Sequence, residues 1–166
     1  MRILGIDPGL ASTGWGIIVY PNGGPGDVSW GTITTPSTQP FPQRLSHIYH
    51  ALQDVIRREK PEAVSIEQLF FATNVKTAIV VAQARGAAVL ATAESGIPVF
   101  EYTPLQIKMA VSGNGRASKE QVQKMVAVLL GLREIPRPDH AADALAAALC
   151  YAHTMKTDML KNLIRK

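Results

Sequence analysis

Cysteine is nearly absent from this chain. Cys150 is its one thiol, which excludes an intrachain disulfide scaffold of the secreted kind. It lies in the run Ala144-Leu145-Ala146-Ala147-Ala148-Leu149-Cys150, where a thiol reads as a small buried hydrophobe suited to a reducing cytosol. Long apolar runs are missing too, none approaching the ~20 residues a membrane span needs. The N-terminus enters Ile3-Leu4-Gly5-Ile6 without a basic flank or cleavage site, so the protein is expected to be cytoplasmic, with no membrane partner. There are no repeats and no low-complexity tracts. A dominant charge is also lacking: 17 Lys and Arg against 13 Asp and Glu leave a net +4, which admits a polyanionic partner without selecting one.

What remains is an ordinary globular composition. With 166 residues, 46% of them hydrophobic, the chain suits one compact domain. That domain is expected over residues 1–155, with 156–166 a basic C-terminal tail. Arg2 to Asp7 is a brief apolar run closed by Asp7-Pro8-Gly9, the pattern of a strand. Trp15 to Tyr20 and Val28 to Thr35 are β-branched and aromatic, and Pro21-Asn22-Gly23-Gly24-Pro25-Gly26 between them supplies turn chemistry.

After a proline-punctuated loop from Pro36 to Pro42, Leu45, Ile48, Tyr49, Leu52, Val55 and Ile56 recur at helical spacing until Pro61. Ala63 to Glu67 predicts a fourth strand, about Asn74 to Ser95 an Ala-rich helix, and Val99 to Tyr102 a fifth strand. Thr103 with Gln106, and Ser118 with Gln121, have capping-box spacing at two further helix starts. Pro138-Asp139 opens the last helix. The order predicts an α/β fold with a five-stranded mixed sheet, a three-strand meander plus parallel crossovers, and helices on both faces.

Three acids fall at element ends: Asp7 after the first strand, Glu67 after the fourth, and Asp143 one turn into the last helix. Open α/β sheets place ligands there. Each residue alone has an ordinary explanation, as a turn former, a solvated strand end or a first-turn helix charge. If the two strands are parallel neighbours, their carboxylates meet and repel unless a cation holds them. Oxygen ligands of this kind suit Mg²⁺, and two such ions ~4 Å apart serve phosphodiester hydrolysis.

Six motifs occur in a particular order: Leu4-Gly5-Ile6-Asp7-Pro8-Gly9, Ile66-Glu67-Gln68, Gln83-Ala84-Arg85-Gly86, Phe100-Glu101-Tyr102, Gln106-Ile107-Lys108 and Ala141-Ala142-Asp143-Ala144-Leu145-Ala146. In this combination, from about Ile3 to Ala152, the chain resembles the RuvC-type Holliday junction resolvases. The resemblance implies a ribonuclease H-like fold, a homodimer, and metal-dependent paired nicks placed symmetrically across four-way junction DNA. It implies work beside a branch-migration motor in recombination and repair. It also implies that Asp7, Glu67 and Asp143 are catalytic acids that bind two metal ions per site, with Asp7 shared.

The family commonly carries aspartate three residues before the last acid, where this chain has His140. An imidazole there removes a negative charge and shifts the site from hard Mg²⁺ toward Mn²⁺, so a strong Mn²⁺ preference is predicted. His140 reads either as a ligand or as a group that orients or protonates a reacting oxygen. Its neighbour Asp139 is either a rival ligand or an N-cap, the second being its ordinary role. Glu101 reads as a structural or surface residue.

Phe70 matches the family position whose ring stacks on an unpaired base near the crossover. Lys108 and Lys119 match family lysines that face DNA, with Lys76, Arg85 and Arg116 as companions. The helix around Gln83 to Ala93, rich in small residues, either forms the dimer interface or packs on its own sheet. Two rivals compete with the nuclease reading: an actin-like ATPase, disfavoured by length, and a junction-binding protein whose site His140 has degraded.

Overall fold

The computed structural model describes residues 1–20, 28–69 and 75–164, with the side chains of 75, 76 and 157–164 outside the description. β1 (Arg2–Asp7), β2 (Ser12–Val19) and β3 (Ser29–Thr34) form the expected antiparallel meander. β4 (Ala63–Glu67) runs parallel to β1, and β5 (Val99–Tyr102) runs parallel to β4. Across the sheet the order is β3-β2-β1-β4-β5. Between and after them come α1 (Phe41–Glu59), α2 (Val75–Glu94), α3 (Pro104–Ser112), α4 (Lys119–Leu129) and α5 (Asp139–Ile164). The last helix therefore carries helical backbone well past residue 155.

Side-chain alternation along the strands splits the core in two. Leu4, Ile6, Ile17, Val64 and Ile66 point toward α1 and α2, where Ile48, Leu52, Ala84 and Ala88 meet them. Ile3 and Ile18 point the other way, toward Val111, Val126 and Leu145 of α3, α4 and α5. Helices thus cover both faces, as the element order predicts.

Three boundaries differ from the sequence reading. α1 begins at Phe41, inside the stretch expected to be loop, with Pro42 in its first turn. The first-turn N–H groups have no helical partner, so proline costs little there. β2 starts at Ser12 rather than Trp15 because Ser12 to Gly14 find partners on β3. Asp139 is the first residue of α5, not a cap. Both expected capping boxes form, Thr103 with Gln106 and Ser118 with Gln121. The turn from Pro21 to Gly26 lies outside the described residues.

What positions the site is the closeness of α5 to the sheet. A Cβ on Gly5 would lie 1.8 Å from the carbonyl oxygen of Ala144, and one on Gly14 would lie 1.9 Å from that of His140. Only glycine lets the helix backbone descend this far. The buried Ser65 hydroxyl then donates to the Ala147 carbonyl at 2.6 Å, tying β4 to the same helix.

Candidate metal centre

Register brings the first two acids together. Gly5 pairs with Ser65 and Ile6 with Ile66 in the parallel β1–β4 ladder, so Asp7 and Glu67 are the next residues at the same end of the sheet. Alternation then assigns their face. Gly5 and Ser65 both meet α5, so the residues two further on, Asp7 and Glu67, project to the α5 side.

α5 contributes the remainder from its first turns, where His140 and Asp143 are three residues apart and share one helical face. His140 Nδ1 lies 2.7 Å from Asp7 Oδ2. Asp7, His140 and Asp143 each offer a ligand atom, all within 4.8 Å of one another. Ligands at neighbouring corners of an octahedral ion lie about 3 Å apart and opposite ones about 4.2 Å, given bonds near 2.1 Å. The span of the group is close to that range, so the residues present fit a divalent cation after small side-chain rotations. All three side chains keep partial solvent access, as a site reached by substrate must.

Glu67 stands outside that tight group but borders it. It lines a cleft of about 270 Å³ with Lys108, Lys119 and Asp143, and a second of about 240 Å³ with Asp7 and Pro8. Of the three acids expected to converge, Asp7 and Asp143 do so closely, and Glu67 joins them across the shared rim.

Electrostatics register the crowding. Burial, then the charges of Asp7 and Asp143, push the Glu67 carboxyl up to about 7. Asp143 is raised as well, by burial first, against the pull of the Lys119 hydrogen bond. The hydrogen bond to Asp7 raises His140 above the usual imidazole value, opposed by desolvation. Two carboxyls held above their ordinary range are what a cation site looks like before charge is supplied.

The four described residues of the expected basic set sit in four different settings. Lys119 Nζ is 2.8 Å from Asp143 Oδ2 and 3.8 Å from Asp139 Oδ2, inside the acidic cluster. Lys108 lines the cleft beside Glu67. Arg116 is exposed on the loop before α4, with its backbone N–H held by Asn114 Oδ1 at 2.9 Å. Arg85 is different. Its guanidinium is largely covered and pairs with Glu101 at 2.6 Å, with Nε buried and unpartnered. Arg85, expected as a companion of the DNA-facing lysines, is thus held against Glu101 in this structure. Phe70 and the side chain of Lys76 lie outside the described residues.

Sequence reasoning missed Gly5, Gly14 and Ser65, which set the height of α5, and Pro104, Ile107 and Val122, which wall the cleft. Glycine inside strands is the one signal that pointed there.

A family profile described as "RuvC: Crossover junction endodeoxyribonuclease RuvC" matches residues 3–151. The chain belongs to the RuvC family. Crossover junction endodeoxyribonuclease RuvC of Chloroflexus aurantiacus is 53% identical over 157 residues, 95% of this chain and 96% of that protein. Thermus thermophilus RuvC has a similar solved structure, with a TM-score of 0.84, 37% identity, and coverage of 95% of this chain and 97% of that one. The same Thermus protein in complex with Holliday junction substrate also scores 0.84, at 35% identity over 95% of this chain and 96% of that one. The yeast mitochondrial Holliday junction resolvase Ydc2 shares the fold, with a TM-score of 0.66 at 13% identity over 98% of this chain and 84% of that one. The architecture is ribonuclease H-like, as the resemblance implied. Membership in the RuvC family sets aside the actin-like ATPase. No helix among the described residues is long and apolar enough to cross a membrane.

Proposed function

We propose that this chain resolves four-way DNA junctions by metal-dependent hydrolysis of one phosphodiester bond in each of two opposed strands, acting as a homodimer. The observation that carries this reading is the convergence of Asp7, His140 and Asp143 within 4.8 Å, with Glu67 at the rim. When bound there, divalent ions activate a water, polarise the scissile phosphate and stabilise the departing oxygen. Asp7, which meets His140 and lines a cleft with Glu67, would be the ligand common to both ions, as the resemblance implies. Glu67 and Asp143 would supply further oxygen ligands.

His140 holds Asp7 through Nδ1, which fixes the carboxylate. It stands where a further carboxylate would favour Mg²⁺, which supports a Mn²⁺ preference. Water adds to phosphorus as the bond to the 3′ oxygen breaks, leaving a 5′-phosphate and a 3′-hydroxyl that a ligase can rejoin.

Lys108 and Lys119 line the acidic cleft and Arg116 is exposed on the loop before α4; all three are proposed as phosphate contacts. Phe70 is proposed to stack on an unpaired base, as the resemblance implies. α2 turns Ile79 (51% exposed) and Leu90 (53% exposed) outward, with Gln83 and Gly86 on the same stripe. That face supports a homodimer whose two sites sit at fixed spacing, so junction shape rather than base contacts would select the substrate. A branch-migration motor as partner and a cytoplasmic location belong to the same reading.

The test is cleavage of a synthetic four-way junction beside linear duplex, in Mg²⁺ and in Mn²⁺. Paired symmetric nicks confined to the junction, faster in Mn²⁺, are expected. Junction binding without cleavage in either metal would overturn the reading in favour of a binding protein with a degraded site.

A further inference from the structure

Asp139 belongs to no motif of the family resemblance, yet Lys119 ties it to Asp143 of the metal centre, and a second cation, Arg137, holds it. Arg137 Nη1 holds its Oδ1 at 2.5 Å. Its other oxygen, Oδ2, faces the Lys119 ammonium at 3.8 Å. Lys119 meanwhile sits 2.8 Å from Asp143 Oδ2, on the carboxylate of a residue of the ligand group. The ammonium thus occupies the place of a positive charge among carboxylates that would otherwise repel.

A divalent ion and an ammonium on the one Asp143 carboxylate repel each other at short range. Lys119 must then move, and a lysine stem with 54% of its surface exposed is free to pivot. We infer that Asp139 is a positioning residue for Lys119, the berth to which its ammonium withdraws when a divalent cation takes Asp143. Arg137 orients that berth by engaging Oδ1 and leaving Oδ2 toward Lys119. The displaced ammonium stays at the cleft instead of swinging into solvent, so metal loading presents it to a phosphate. This inference rests on the reading that Asp7, His140 and Asp143 hold the metal.

The experiment is Mn²⁺ binding to the whole chain without DNA, followed by electron paramagnetic resonance of the free ion, so that no activity is read. Asp139→Asn should weaken Mn²⁺ binding about fivefold, the scale of one exposed charge pair, and Asp139→Glu should restore it. Lys119→Met removes the competitor and should tighten binding. In the Lys119→Met background, Asp139→Asn should change binding by less than about twofold, because the residue acts through the lysine.

An equal weakening in both backgrounds would make Asp139 merely a nearby charge and overturn the berth. Unchanged binding in Asp139→Asn, or weaker binding in Lys119→Met, overturns it as well. No Mn²⁺ binding by the unaltered protein removes the metal reading and the berth together, which separates the two failures.

Discussion

His140 and Asp7 are 133 residues apart in the chain, and their side chains meet at 2.7 Å. The contact exists because Gly14, the β2 partner of Asp7, has no side chain to hold the α5 backbone away. It joins the last helix to the first strand at the point where the ligand atoms gather.

The proposed Mn²⁺ preference is testable through this pair. Replacing His140 with aspartate restores an all-oxygen ligand group, which Mg²⁺ favours. His140→Asp should therefore raise the junction-cleavage rate in Mg²⁺ on the order of tenfold, the scale on which a changed ligand environment acts. The ratio of Mn²⁺ to Mg²⁺ rates should fall toward one. A variant that keeps the original ratio would show that the imidazole does not set the preference.

Titration of the same cluster predicts a stability profile for the metal-free protein. Glu67 is raised from 4.5 to about 7, so between those values the folded state binds more protons than the unfolded chain, and stability falls as pH rises. His140 is raised above 6.5. Its contribution is complete below that value and is lost as pH climbs through the higher folded-state value, in the same direction. Calorimetry in chelator should show the melting temperature declining from about pH 4.5 to beyond pH 7. Added Mn²⁺ should raise it more at pH 8 than at pH 5, because protons no longer compete for the carboxylates. A melting temperature that rises across this window would contradict the assigned charges.

Much of this site was legible in the sequence, and the unread part has a physical reason. Asp7 and Glu67 each close a short apolar run, so their placement at strand ends needed only local pattern. That they share a face depends on the register of β1 against β4, a non-local property that no run of residues encodes. The descent of α5 onto the sheet was written in Gly5 and Gly14, but a strand glycine has several causes, and its partner lies more than a hundred residues away. Phe41 and Pro42 read as loop because proline breaks helices in general, though not in the first turn. For Arg85, charge alone could not reveal that Glu101, on another element, already neutralises it.

The closeness of α5 is itself testable. A methyl group at position 14 would lie 1.9 Å from the His140 carbonyl oxygen, and the obstacle is backbone, which cannot rotate aside. Gly14→Ala should destabilise the fold by ~1–3 kcal/mol, the usual cost of overpacking. Because the displaced segment carries His140 and Asp143, Mn²⁺ affinity should drop in the protein that remains folded. Urea denaturation and metal titration measure the two effects. Unaltered stability would mean that α5 does not sit this close to the sheet.

Arg85 and Lys108 test the proposed division between a structural cation and a DNA-facing one. Lys108 lines the acidic cleft, and removing one phosphate contact reduces the slope of log affinity against log salt by roughly 0.9. Lys108→Ala should show that change with little loss of stability. Arg85 is paired with Glu101 and mostly covered, so Arg85→Ala strands a partly exposed carboxylate and removes packing of the stem. Its expected signature is the reverse: a lower melting temperature and an unchanged salt slope for junction binding. Glu101→Gln sharpens the contrast, because it leaves the guanidinium charge in place while weakening its tether. If Arg85 is held only for structure, this variant also leaves the slope alone. A steeper slope would mean that the freed guanidinium had found a phosphate, and Glu101 would then be the residue that keeps Arg85 away from DNA.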